Sequence, residues 1–107
     1  MSKYILLYKG PATPVDQFTP EQGAEQMQAW TDWMGRAGSA IVDQGNPFGT
    51  RAAVSDDGTT PDTSDLNGYT IVEAATVDDA KGLLDRHPFL TEGKGRFTVE
   101  IFELAPM

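Results

Sequence analysis

The last strand-forming segment of this chain carries apolar side chains on both of its faces. Phe97, Val99 and Ile101 share one parity, whereas Phe102 and Leu104 share the other. Successive side chains of a strand point to opposite faces of the sheet, so this strand must be covered on both sides. One layer of helices covers only one face. In a chain of 107 residues, the second cover is most simply another copy, and we therefore expect a homodimer.

Length and composition limit the class of protein further. A mass of 11.6 kDa predicts one domain over residues 1–107. The absence of cysteine excludes disulfides, zinc–thiolate sites, iron–sulfur clusters and cysteine nucleophiles. A formal charge of −8 disfavours nucleic acid and anionic membranes as partners. Because no long apolar span or secretory leader is visible, we expect a cytoplasmic protein without a membrane segment.

Periodicity and capping signals predict the first strand and the first helix. Residues 3–9 alternate as a strand with apolar groups on both faces. A helix is predicted over residues 20–37, with Thr19 as N-cap, Gln22 completing a capping box and Gly38 at the C-terminal stop. Its apolar positions, three or four residues apart, are Ala24, Met27, Trp30, Met34 and Ala37.

The remaining elements complete an alternating pattern. They are a short strand at 39–44, an optional strand at 51–55, an acidic loop at 56–65, a strand at 68–75, a helix from Thr76 to His87 and a last strand at 96–104. This order predicts an α+β, ferredoxin-like split βαβ fold, with an antiparallel sheet and two helices on one face. The opposite face would be an apolar patch, and two such faces packed together would form a dimeric α/β barrel.

Several segments together resemble the YCII-related (DGPF-domain) proteins over nearly the whole chain. They are residues 3–8, 45–49, 68–75, 77–80, 87–90 and 99–107. The resemblance implies a homodimeric α/β barrel, distantly akin to muconolactone isomerases, antibiotic-biosynthesis monooxygenases and chlorite dismutases. For most of that family the reaction is not established. Some members are thought to use a His–Asp pair with the histidine on the early helix, where this chain has none.

The single histidine, His87, is the sharpest candidate for chemistry. Its ordinary pKa of roughly 6.5 suits proton transfer at neutral pH. If a carboxylate such as Asp43 approached one ring nitrogen, the two would form a catalytic acid–base pair. The alternative is structural, since a histidine at the end of a helix also caps free carbonyl groups.

Five further residues are candidates for binding, each with a plainer alternative. Asn46 and Phe48 belong to a Gly/Pro turn that could face a cleft under the sheet, although asparagine is an ordinary turn residue. Tyr69 and Glu73 share one face of a strand, where a covered carboxylate would be functional and an edge carboxylate merely solvated. Trp33 lies off the apolar stripe and lines either a pocket, a subunit contact or the core.

Two functions remain open at this level. The first is a homodimeric enzyme or binding protein whose cleft holds a small apolar or aromatic metabolite. The second is a non-catalytic dimerising accessory module. No metal-ligand spacing and no nucleotide-binding fingerprint occur, so we expect neither a metal site nor a cofactor.

Overall fold

A four-stranded antiparallel sheet with two α-helices forms the fold, which a computed structural model describes for residues 1–11, 19–91 and 93–106. The strands are β1 (Ser2–Lys9), β2 (Ile41–Asp43), β3 (Leu66–Ala74) and β4 (Thr98–Leu104), and the helices are α1 (Pro20–Ala37) and α2 (Val77–Gly82). The sheet order is β2-β3-β1-β4. This arrangement confirms the predicted ferredoxin-like α+β fold. None of the helices in the described part of the chain is long and apolar enough to cross a bilayer.

Helix α1 begins and ends where its capping residues predict. The Thr19 side chain accepts a hydrogen bond from the Gln22 backbone N–H at 3.1 Å, and Gln22 Oε1 accepts one from the Thr19 N–H at 3.0 Å. At the other end Gly38 has φ +56° and donates its N–H to the Met34 carbonyl. These bonds satisfy backbone groups that the helix itself leaves free.

The apolar stripe predicted for α1 was wrong at its N-terminal end. Met27 is 74% exposed, whereas Trp33 is only 1% exposed. The buried surface lies on the second half of the helix, where Trp30, Met34 and Ala37 pack against the core. Trp33 can be buried because its indole N–H donates to the Leu83 carbonyl at 2.7 Å, so no polar atom is lost to the interior.

The helices pack on one face of the sheet and leave the other face open. The face under the helices holds the core, formed by Tyr4, Leu6, Tyr8, Trp33, Val72, Ala74 and Ala80. On the opposite face, strand pairing aligns three rows of side chains, Tyr69–Leu7–Glu100, Ile71–Ile5–Phe102 and Glu73–Lys3–Leu104. Phe102 and Leu104 remain 52% and 41% exposed. The predicted two-sided apolar character of the first and last strands is therefore confirmed.

The second helix is shorter than predicted. It ends at Gly82, and the chain continues through turns to Arg86, whose φ is +55°. A short 3₁₀ turn, Pro88–Leu90, follows with His87 as its N-cap. His87 consequently does not cap the end of α2, which corrects the structural role predicted for it. Residues 51–55, all within the described chain, form no strand.

Candidate functional site

A cleft of about 380 Å³ opens between the C-terminal half of α1 and the sheet. Its walls are formed by aromatic and apolar side chains of α1, β1 and the 3₁₀ turn on one side, and by a loop and the start of β3 on the other. The lining residues are Tyr8, Trp30, Met34, Phe89, residues 44–47 and residues 67–70. A volume of this size accommodates a molecule with one aromatic ring.

One wall of the cleft exists because the loop after β2 lies directly on β3. Gly45 has φ +75°, and a Cβ at this position would stand 1.7 Å from the Tyr69 carbonyl oxygen. Only glycine fits both that conformation and that approach. The loop is held by the Asp43 carboxylate, which accepts the Gly45 N–H at 2.8 Å, and by the Phe48 N–H, which donates to the Asn67 carbonyl at 2.8 Å.

The opposite wall is a cluster of aromatic rings with the histidine behind it. Tyr8 lies edge-on to Trp30 with ring centroids 5.4 Å apart, and its ring is 5.2 Å from that of Phe89. The His87 ring is packed 4.9 Å from Trp30 and 4.3 Å from Trp33. His87 is fully buried and does not line the cleft itself, and its side chain is hydrogen-bonded to that of Tyr8, which does.

Four hydrogen bonds run in series from the 3₁₀ turn to the loop at the cleft. His87 Nδ1 accepts the Phe89 backbone N–H at 3.0 Å, and His87 Nε2 lies 3.2 Å from the Tyr8 hydroxyl oxygen. That hydroxyl lies 2.6 Å from Thr70 Oγ1, and Thr70 Oγ1 donates to the Gln44 carbonyl at 3.2 Å. Every polar atom of this buried set therefore has a partner.

Burial favours the neutral form of both titratable groups in the hydrogen-bonded series. Burial, and to a smaller extent the nearby Arg36 charge, lowers the pKa of His87 to about 4. Burial also raises the pKa of Tyr8 to about 12, against a smaller lowering by its hydrogen bond to Thr70. Both side chains are uncharged at neutral pH, as expected for groups removed from water.

The structure does not bring His87 and Asp43 together as an acid–base pair. Both ring nitrogens of His87 are engaged, one by Tyr8 and one by the Phe89 N–H. Asp43 is exposed at the sheet edge, where it bonds Gly45 and, at 3.4 Å, the Tyr69 hydroxyl. A histidine whose Nδ1 already accepts a backbone N–H, and whose pKa lies near 4, is a poor proton acceptor at pH 7.

The residues predicted to bind a ligand lie in three places. Asn46 lines the cleft, and Tyr69 borders it although its side chain belongs to the row on the open face of the sheet. Phe48 stacks on the Tyr69 ring, with the ring centroids 5.9 Å apart. Glu73 belongs to the open face of the sheet, opposite Lys3 in the strand register, because it has the parity that faces away from the helices. Trp33 lies in the core, which was one of its alternatives.

Sequence reasoning missed Tyr8 and Thr70, the two hydroxyl groups at the cleft. Tyr8 shares its strand parity with Tyr4 and Leu6, which face the helices, and Thr70 shares its parity with Val72. A hydroxyl group at a buried strand position needs a partner. That requirement is the signal by which both could have been singled out.

The polar atoms of the cleft suit hydrogen bonding to a neutral molecule. Within residues 1–11, 19–91 and 93–106, no three histidine or carboxylate side chains come close enough together to hold a metal ion. What the cleft offers is an aromatic wall, two buried hydroxyl groups and amide groups of the facing loop. This combination of apolar walls and a few placed polar atoms is typical of small-molecule sites.

The fold is similar to that of a solved enzyme, 5-chloro-2-hydroxyhydroquinone dehydrochlorinase (TftG) from Burkholderia phenoliruptrix AC1100, in complex with 2,5-dihydroxybenzoquinone. The likeness covers 98% of this chain and 95% of that one, with a TM-score of 0.58 and 15% sequence identity. No family model and no curated protein matches the sequence. The comparison therefore establishes a shared fold.

Proposed function

We propose that this protein binds a small neutral molecule with one aromatic ring in the cleft between α1 and the sheet. The observation that carries the proposal is the cleft itself, about 380 Å³ in volume, with Tyr8, Trp30 and Phe89 on one wall. Aromatic side chains that meet edge-on or tilted leave ring faces and edges to pack on a flat ligand. Tyr8 and Thr70, which both line the cleft, carry the hydroxyl groups that would make polar contacts to the ligand.

A neutral ligand is favoured over an ionic one. The groups in the hydrogen-bonded series are uncharged at pH 7, because burial keeps His87 unprotonated and Tyr8 protonated. No fixed charge within the series would therefore compensate a ligand charge that loses its hydration in the cleft. The ligand of the similarly folded dehydrochlorinase, 2,5-dihydroxybenzoquinone, supports the proposed size of the ligand, since it is a single six-membered ring with oxygen substituents.

We also propose that the chain acts as a homodimer that is built through the open face of the sheet. Ile5, Leu7 and Ile71 form an apolar strip there, which Phe102 extends on the edge strand β4. A second copy packed on this strip would complete a dimeric α/β barrel. A stable interface of this kind would bury at least about 1,200 Å² in total. Membership of the YCII-related family and a cytoplasmic location belong to the same proposal.

A non-catalytic dimerising accessory module is the second candidate, because the exposed apolar strip on the open face accounts for dimerisation without any reaction. That strip supports dimerisation in either case. The cleft distinguishes the two candidates, since an accessory module has no need for an open cavity with convergent hydroxyl groups. We therefore place ligand binding first.

The proposal is tested by NMR titration of the isotope-labelled protein with monocyclic aromatic compounds, beginning with p-cresol. Saturable shifts at Tyr8, Trp30 and Phe89 are expected. Met34→Trp, which puts a bulkier side chain into the cleft, should weaken the binding. The matched control is Met27→Trp on the exposed part of the same helix, which should leave it unchanged. Shifts that fail to saturate, or that are equally affected by both variants, would refute binding in this cleft.

A further inference from the structure

The direction of every proton in the hydrogen-bonded series is fixed by its two ends. At one end, the Phe89 backbone N–H can only donate, so His87 Nδ1 must carry a lone pair. A neutral imidazole then has its proton on Nε2. Nε2–H therefore donates to the Tyr8 hydroxyl oxygen, 3.2 Å away.

The other end imposes the same direction. The Gln44 carbonyl can only accept, so the single proton of the Thr70 hydroxyl points to it. Thr70 then has no proton left for Tyr8. Across the 2.6 Å contact between the two hydroxyl oxygens, Tyr8 must be the donor and Thr70 the acceptor. In every hydrogen bond of the series, the donor is therefore the group nearer the 3₁₀ turn and the acceptor is the group nearer the loop.

This order leaves the Tyr8 and Thr70 hydroxyl groups able to act toward a ligand only as hydrogen-bond acceptors. The Tyr8 oxygen accepts from His87 and donates to Thr70, which leaves it one lone pair. The Thr70 oxygen accepts from Tyr8 and donates to Gln44, which also leaves one. Both residues line the cleft. A ligand oxygen without a proton would meet a lone pair there, and its own hydration would be lost without replacement.

We infer that the cleft selects aromatic ligands that donate a hydrogen bond, such as phenols, over ligands of the same shape that only accept one. This inference rests on the proposed binding function and specifies its ligand class. The Tyr8 and Thr70 oxygens accept the hydrogen bond that the ligand donates, and His87 is a positioning residue that holds the Tyr8 hydroxyl proton away from the ligand.

The selectivity is tested with three probes of nearly identical shape. p-Cresol carries a donor, p-xylene carries a methyl group in its place, and 4-methylpyridine N-oxide carries an oxygen that only accepts. Because one hydrogen bond is worth about 0.5–1.5 kcal/mol net, p-cresol should bind about three- to tenfold more tightly than p-xylene. The N-oxide should bind more weakly than either.

Two variants test which atoms carry the selection. In the double variant Tyr8→Phe/Thr70→Val the side chains keep their shapes and both acceptor oxygens are lost, so the preference for p-cresol over p-xylene should fall to within about twofold. In Thr70→Val the Tyr8 proton loses its acceptor and becomes free to point into the cleft. The ratio of N-oxide to p-cresol affinity should then rise above its value in the unmodified protein.

The state of the histidine provides a readout that needs no ligand. His87 is the single histidine of the chain, so its ¹⁵N chemical shifts can be assigned without ambiguity and should report the Nε2–H tautomer. A proton on Nδ1 would overturn the inference while leaving the binding proposal intact. Equal affinity for p-cresol and p-xylene, or a preference that persists in Tyr8→Phe/Thr70→Val, would also overturn it. If none of the three probes binds, the binding proposal and this inference both fall.

Discussion

Acid should destabilise this protein through its single histidine. In the folded chain the pKa of His87 is lowered to about 4, from an ordinary value of 6.5. As the pH falls, the unfolded chain therefore takes up a proton before the folded one does. The folded state bears no penalty above about pH 6.5, loses stability between about pH 6.5 and pH 4, and bears the full penalty below that.

The size of the effect follows from the two pKa values. Each tenfold difference in proton affinity corresponds to about 1.4 kcal/mol. Over the range from about pH 7.5 to pH 4.5, linkage gives a loss of about 2.5 kcal/mol in the free energy of unfolding from His87 alone. The structural reason is that protonated Nδ1 can no longer accept the Phe89 N–H, and the new charge would lie between Trp30 and Trp33.

The assay is urea unfolding at fixed protein concentration across this pH range, for the unmodified chain and for His87→Asn. Asparagine retains an oxygen that can accept the Phe89 N–H but does not titrate. The His87→Asn variant should be less stable than the unmodified chain, because the smaller side chain leaves a cavity. The difference between the two pH profiles removes the contribution of the carboxylates, which titrate in both proteins. Profiles that run parallel from about pH 7.5 to pH 4.5 would refute the reasoning.

A second measurement separates the causes of the shift. The Arg36 guanidinium donates to the Arg86 carbonyl at 3.0 Å, and its charge contributes to the low pKa of His87. Arg36→Gln should raise that pKa without restoring it to its ordinary value, because burial is the larger cause. Arg51→Gln, at an arginine that bonds Ser64 instead, is the matched control. An NMR titration of His87 with a midpoint near 6.5 in the unmodified protein would contradict the buried, bonded state.

Two further predictions concern the interface and the cleft wall. Phe102→Lys on the open sheet face should shift the mass measured by light scattering toward that of the monomer, 11.6 kDa. Val54→Lys, at an even more exposed apolar residue, should leave that mass unchanged. A monomer mass for the unmodified chain at micromolar concentration would refute the proposed dimer. Gly45→Ala should lower the free energy of unfolding in urea by at least about 2 kcal/mol, because the new Cβ would overlap the β3 backbone. Gly49→Ala, with open space around it, should change that free energy by less than about 0.5 kcal/mol. Equal effects of the two substitutions would contradict the close contact of loop and strand.

Local signals in the sequence were enough for the boundaries of α1 and for the fold class, although not for the end of α2. The limits of α1 follow from Thr19, Gln22 and Gly38, which act on backbone groups within a few residues of themselves. The parity of strands β1 and β4 likewise fixes which side chains share a face, since alternation is a property of any extended chain. These are short-range effects, and a sequence shows them directly.

The candidate site depended on contacts that no local pattern contains. Tyr8 is 62 residues from Thr70 and 79 residues from His87 along the chain, yet all three meet at one end of the sheet. The order of strands in the sheet, with β1 beside β3, brings the first two together. The turns after α2 then place His87 behind Tyr8 and not beside Asp43. Only the tertiary structure decides such meetings, because they depend on which strands pair and on how the loops between elements return to the sheet.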